Sequence, residues 1–329
     1  MPKIFNYIKA SELKLYNDIL LSESSLQNIE MSKFILQKFI AGEEPQDIRD
    51  FINLFAKNTN ANRLCEIIIE NINIFGTQIR FYSHKENRSE KVILHFHSGG
   101  FVIGSSQYYD NLFQYIARKS GAAILSIDYK LAPEHKFPYA LNQCVELCKE
   151  ILTNGIQNKI SAQSEFYFLG DSAGGNLAAN MSHLLGDTYT NIAGQILIYP
   201  VLCPVGTTFS YHKFSNGFSL ETEHMNIFMS YYLNSAEEKN SKNPKIYPYY
   251  FDHFASLPKT MIIAGECDPL RDDAYLYAQK CYENNIEFKY YEFAGTVHGF
   301  FSALDSFPEA RISADLVCDF ISEISDIEE

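Results

Sequence analysis

The chain reads as an α/β protein: an eight-stranded, mostly parallel sheet flanked by helices, with a helical cap over one edge. Three observations predict this. Short β-rich runs alternate with helical stretches from residue 65 onward, the runs are apolar almost throughout, and 46% of the 329 residues are hydrophobic, enough for a large core. A strand that is apolar along its whole length is buried on both sides. Strand–helix–strand repetition achieves that by laying crossover helices on both faces of a parallel sheet.

Residues 1–60 form an expected N-terminal helical cap segment. Met31, Phe34, Ile35, Phe39 and Ile40 recur at helical spacing and mark one amphipathic face. The opposite face is not strongly basic, which favours packing on the same chain over lying on a membrane. Residues 61–200 carry the first part of the core. Strands are predicted at 65–70, 78–82, 91–97, 122–129, 165–170 and 193–199, and helices at 109–119, 139–153 and 173–185. No helix separates the first two runs, so they should pair antiparallel at one edge.

Residues 201–257 break the alternation, being rich in Pro, Gly, Asn and aromatic side chains. So long an excursion between two strands is usually functional, and here it predicts a cap insertion over the carboxyl ends of the strands, where open α/β sheets bind ligands. Residues 258–329 resume the core, with strands at 259–265 and 286–293 and helices at 272–284 and 306–325. The last strand falls at the sheet edge in this reading, where its exposed aromatics would suit pairing with a second copy in a homodimer.

Charge narrows the function. Forty acidic residues against 27 basic ones give a net charge of −13, and Lys and Arg are scattered. Such a surface repels polyphosphate, which argues against a nucleic-acid binder. The opening MPKIFNYIKASELK interrupts its apolar residues with charges and lacks a signal-peptide core, and no apolar run is long enough for stable membrane insertion. A cytoplasmic protein is expected. Seven cysteines without a C-x-x-C pair agree with a reducing compartment. Cys144 and Cys148 lie one helical turn apart with no accompanying His, which reads as buried thiols rather than half a metal site.

The sharpest local signal is Gly170-Asp171-Ser172-Ala173-Gly174, directly after the run EFYFLG and at the start of a predicted helix. A tight strand-to-helix turn forces its middle residue into crowded backbone geometry and tolerates only small neighbours two positions away. It lifts the Ser172 hydroxyl out of the sheet to a helix N-terminus, which favours developing negative charge. A serine hydroxyl is a weak nucleophile unless a base takes its proton, so a histidine and an orienting carboxylate are required elsewhere. Asp268 follows the strand KTMIIAG and His298 follows the last strand, both at carboxyl ends and therefore on the same sheet edge as Ser172. Glu266, Asp272 and Asp273 are neighbouring carboxylates that compete with Asp268. Among the nine histidines only His97 and His298 directly follow predicted core strands. His97-Ser98-Gly99-Gly100 supplies adjacent glycines that let backbone N–H groups turn inward, as an oxyanion hole needs, with the Ala173 N–H as a third donor. His97 itself suits a loop-orienting role.

These blocks resemble the hormone-sensitive-lipase-like branch of the α/β-hydrolases, a group of carboxylesterases. The resemblance covers about residues 65–325 and rests on FHSGGFVIGS (96–105), DYKLAPEHKFPYAL (128–141), GDSAGGN (170–176), DPLRDDA (268–274) and HGF (298–300). It implies Ser172 as nucleophile, His298 as general base and then acid, Asp268 as its orienting partner, Gly99, Gly100 and Ala173 as oxyanion donors, and a structural Glu134. It also implies a small-molecule ester substrate and no metal or organic cofactor. The family usually has a third glycine where Ser98 stands. The same triad serves amidases, formamidases and deacetylases, and some relatives have become ligand-binding receptors, but a receptor has no need to keep all three triad residues. The cap segments match the family only in their place.

Overall fold

The computed structural model describes residues 4–59, 63–86 and 90–323. Nine strands form one sheet in the order β1-β11-β10-β9-β8-β6-β7-β5-β4. The eight predicted runs are all present: β4 (Ile67–Ile74), β5 (Thr77–His84), β6 (Lys91–Phe96), β7 (Ala123–Asp128), β8 (Glu165–Asp171), β9 (Ile192–Ile198), β10 (Lys259–Gly265) and β11 (Phe288–Phe293). β5 runs antiparallel to both β4 and β7, and every other neighbouring pair is parallel. The central strands are buried on both faces, which is why they read as nearly continuous apolar runs.

The ninth strand corrects the sequence reading. β1 (Ile4–Ile8) lies in the stretch expected to be helical and pairs with β11 in parallel register, Ile4 opposite Lys289 through Ile8 opposite Phe293. The edge of β11 is therefore taken by the same chain, and the homodimer expected through the last strand has no free edge there. IFNYI lacks the polar–apolar alternation that betrays a half-buried strand, because Phe5 and Tyr7 face solvent while being apolar. A hairpin of β2 (Leu13–Tyr16) and β3 (Ile19–Ser22) follows. The helical reading holds only from α1 (Glu23–Ile40) and α2 (Pro45–Thr59) onward. Ser22 caps α1, its side chain accepting from Ser25 N at 3.2 Å. The buried stripe of α1 is Ile29, Leu36 and Phe39, whereas Met31, Phe34 and Ile40 are exposed.

Helices α3 (Asp110–Ser120), α4 (Tyr139–Asn154), α5 (Ala173–Leu185), α9 (Arg271–Glu283) and α10 (Pro308–Ser322) cover the sheet, within two or three residues of expectation; the last two positions predicted for α10 lie outside the described residues. Cys144 and Cys148 are buried on α4, where burial pushes both thiols up and leaves them inert. The 201–257 excursion folds into α6 (Phe209–Lys213), α7 (Thr222–Tyr232) and α8 (Ala236–Lys239). Its Met225, Met229, Tyr232 and Leu233 share one hydrophobic cluster with Phe39, Ile48 and Ile52 of α1 and α2 and with the sheet itself. Among the described residues no helix is long and apolar enough to cross a membrane.

Candidate active site

The turn after β8 is held by backbone contacts that only glycine permits. A Cβ at Gly170 would stand 2.0 Å from the Gly174 carbonyl oxygen, and one at Gly174 would stand 1.9 Å from Phe96 O. Ser172 between them has φ 57° and ψ −118°, a conformation that costs a non-glycine residue about 1–3 kcal/mol and persists only where its surroundings over-determine it. Three bonds do so here. Ser172 N donates to Ile198 O at 2.9 Å, and Ser172 O accepts from Asn176 N at 3.1 Å and from Val201 N at 3.3 Å.

Three loops at the carboxyl ends of β8, β10 and β11 bring Ser172, Asp268 and His298 into one line. His298 Nδ1–H donates to Asp268 Oδ2 at 2.7 Å, and Ser172 Oγ–H donates to His298 Nε2 at 2.9 Å. A carboxylate can only accept, so it fixes the proton on Nδ1 and leaves the Nε2 lone pair facing the serine. Asp268 is fully buried, and its other oxygen accepts from Leu270 N at 2.8 Å. Ser172 and His298 keep 7% and 8% exposure, enough to meet a ligand.

The competing carboxylates are engaged elsewhere. Glu266 accepts from Tyr7 OH and Gly295 N, both at 2.8 Å. Asp272 accepts from Ser210 N at 2.8 Å and pairs with Arg271. Asp273 accepts from Leu202 N and Cys203 N at 2.9 and 2.8 Å, tying the start of the insertion to α9, and burial pushes its carboxyl well above the usual range.

The 97–104 loop curls beside Ser172. Gly99 and Gly100 have φ 114° and 61°, and Gly99 O accepts from Val102 N and Ile103 N at 3.0 and 2.9 Å. Ala173 opens α5, where the first N–H groups have no partner within the helix. His97 is engaged within its own loop and with Tyr129. Its Nδ1–H donates to Ser98 O at 2.7 Å, its ring stacks on Tyr129 at 4.2 Å, and burial lowers its pKa, keeping it neutral. Glu134 holds a two-pronged pair with Arg49 of α2, both contacts at 2.8 Å, while Arg49 also donates to Val102 O and Ala132 O.

A cavity of about 210 Å³ opens over this arrangement. Ser172, His298, Gly99 and Gly100 line its floor; Leu220, Met225 and Phe228 from the insertion and Met31 and Ile35 from α1 line its roof. A neighbouring cavity of about 390 Å³ shares Asn28, Met31, Ile35 and Gly299 with it.

Some residues that touch the site carried no signal in the sequence. Asn28 Nδ2 and Ser219 Oγ both donate to His298 O, at 2.6 and 3.2 Å, so the cap grips the histidine loop from two sides. Phe228 lies against Gly100, where a Cβ would come within 2.3 Å of its ring. No local pattern distinguishes these residues, because the contacts join segments far apart in the chain.

A family model described as the alpha/beta hydrolase fold matches residues 93–302, more than half of the chain. An arylesterase of Saccharolobus solfataricus is 28% identical over 78% of this chain and 84% of its own length. An acetyl esterase of Salmonella typhi is 27% identical over 67% of this chain and 68% of its own. Among solved structures, an esterase of Pyrobaculum calidifontis superimposes with a TM-score of 0.79 at 27% identity, covering 92% of this chain and 98% of that one. A thermostable carboxylesterase from a metagenomic library gives 0.77 at 31% identity, with coverages of 85% and 97%. The sequence blocks, the sheet order and these likenesses agree: the chain belongs to the α/β-hydrolase fold family, in its hormone-sensitive-lipase-like branch.

Proposed function

We propose that the protein is a carboxylesterase that cleaves small carboxylic esters by acyl transfer through Ser172. The continuous hydrogen-bonded line from Asp268 through His298 to Ser172, at the floor of an apolar cavity, is the observation that supports this most. Ser172 Oγ attacks the ester carbonyl carbon while His298 Nε2 takes its proton. The carbonyl oxygen becomes an oxyanion received by the N–H groups of Gly99, Gly100 and Ala173. His298 passes the proton to the departing alcohol, leaving an acyl-serine. Water then attacks the acyl carbon with the same base, and Ser172 leaves with its proton restored. Asp268 holds the imidazole in the productive tautomer and stabilises the imidazolium, and His97 orients the oxyanion loop. The relatives named above are esterases, which agrees with ester rather than amide cleavage.

The small catalytic cavity favours short acyl groups. Purified protein should therefore hydrolyse p-nitrophenyl acetate or butyrate far faster than long-chain esters. Ser172→Ala should lower kcat by roughly five orders of magnitude with the fold intact by circular dichroism. Retention of a tenth of the activity by that variant would remove Ser172 as the nucleophile.

A further inference from the structure

The side chain immediately before the candidate nucleophile makes no contact with His298, yet Asp171 is buried at the centre of a polar network. Its carboxylate accepts from Tyr109 OH at 2.8 and 3.0 Å, from Tyr199 OH at 3.2 Å, and lies 3.4 Å from His95 Nε2. Each tyrosine then reaches a different loop. Tyr109 Oη accepts from Ser98 N at 3.0 Å and contacts Ser98 Oγ at 2.9 Å. Tyr199 Oη accepts from Phe301 N at 3.1 Å, three residues past His298, and its ring centroid lies 4.5 Å from that of His298.

The donor arithmetic leaves one arrangement. Tyr109 has a single hydroxyl proton, and the carboxylate can only accept, so that proton goes to Asp171. The two lone pairs of Tyr109 are then filled by Ser98 N–H and Ser98 Oγ–H. Ser98 O accepts from His97 Nδ1, so all three polar groups of Ser98 are fixed. Burial and the nearby Asp171 push both tyrosine hydroxyls well above their ordinary range, so they stay protonated donors. A glycine at position 98 would keep the backbone bond to Tyr109 and lose the hydroxyl bond. It would also restore backbone freedom just before Gly99 and Gly100.

We propose that Ser98 and Tyr109 are positioning residues which, anchored on Asp171, set the oxyanion loop relative to Ser172, and that the serine hydroxyl supplies the rigidity that the usual glycine lacks. This rests on the esterase reading above. Tyr199 extends the same carboxylate's hold to the loop of His298, so one buried group links the Ser172 turn, the oxyanion loop and the His298 loop. An error of a fraction of an ångström in the donors is felt in the transition state, where the oxyanion forms, and little in substrate binding.

The test is a double-mutant cycle of Ser98→Ala and Tyr109→Phe, reading kcat and KM separately with p-nitrophenyl acetate, alongside thermal unfolding. Ser98→Ala should lower kcat about five-fold, the scale of one neutral hydrogen bond, with KM unchanged. Tyr109→Phe should lower kcat more, and adding Ser98→Ala to it should change kcat no further. Ser98→Thr, which keeps the hydroxyl, should recover most of the loss relative to Ser98→Ala. Additive effects, an unchanged kcat in Ser98→Ala, or a change confined to KM or to the unfolding midpoint would overturn the proposal. A wild-type protein with no hydrolysis of p-nitrophenyl acetate would instead overturn the esterase reading itself.

Discussion

Around Ser172 the contacts are backbone on backbone: Gly170 against the Gly174 carbonyl, Gly174 against Phe96 O, Ser172 N on Ile198 O. Above it, the cap is joined by side chains. Ser32 Oγ donates to Ser219 O at 2.6 Å, His224 Nε2–H donates to Ser32 O at 3.1 Å, and Phe228 meets Phe39 edge-on at 5.5 Å. The first kind of contact has no slack, since backbone atoms cannot rotate away. The second can be repacked residue by residue. A fold that fixes the Ser172 turn in the one manner and the walls of the cavity above it in the other can change what it accepts without disturbing that turn.

Substituting one residue in each region probes that contrast. Gly174→Ala carries the largest expected effect: the new methyl has nowhere to go, and the protein should lose about 3 kcal/mol or more in urea unfolding together with its esterase activity. A Gly174→Ala protein of normal stability would mean that the turn is softer than its contacts indicate. Phe228→Ala, in the cap, should leave Ser172 chemistry on short esters largely in place while enlarging the cavity over Gly100. The ratio of kcat/KM for octanoate over acetate esters should rise about ten-fold or more. An unchanged acyl-length profile would place specificity elsewhere.

The smallest effect concerns the join between the two regions. His183, on core helix α5, stacks on Phe251 at 4.2 Å, its Nδ1–H donates to His253 O at 3.1 Å, and its Nε2 accepts from Tyr277 OH at 3.0 Å. Burial pushes its pKa down to about 4. The unfolded chain takes up a proton on this residue near pH 6.5, whereas the folded one resists until about 4, so stability is full above that upper limit and falls as pH drops between the two. The Tm of wild-type protein should therefore fall more than that of His183→Gln between about pH 7 and about pH 5. Parallel curves for the two proteins would show that His183 contributes nothing to the acid sensitivity.

What could be read from the sequence follows the same division. The central strands β6 to β10 announce themselves because burial on both faces leaves few polar residues to interrupt them. Ser172, Asp268 and His298 stand in short blocks because each sits at a strand end where a tight turn dictates its neighbours. Asn28, Ser219 and Phe228 reach the site from segments whose local sequence serves only their own helices or turns. β1 escaped for a related reason: in IFNYI the outward Phe5 and Tyr7 are apolar while the inner side carries Asn6, so no apolar period marks a face, and its partner strand lies far along the chain.

That pairing has a bearing on how the molecule is made. Ile4–Ile8 precede the strand they bind, Phe288–Phe293, by nearly the whole of the sheet's other strands. Until β11 has been made, Ile4–Ile8 have no place to dock and must stay unpaired while the intervening strands assemble. Closing the edge thus waits for β11, and until β1 docks the sheet exposes β11 as an open, aggregation-prone border.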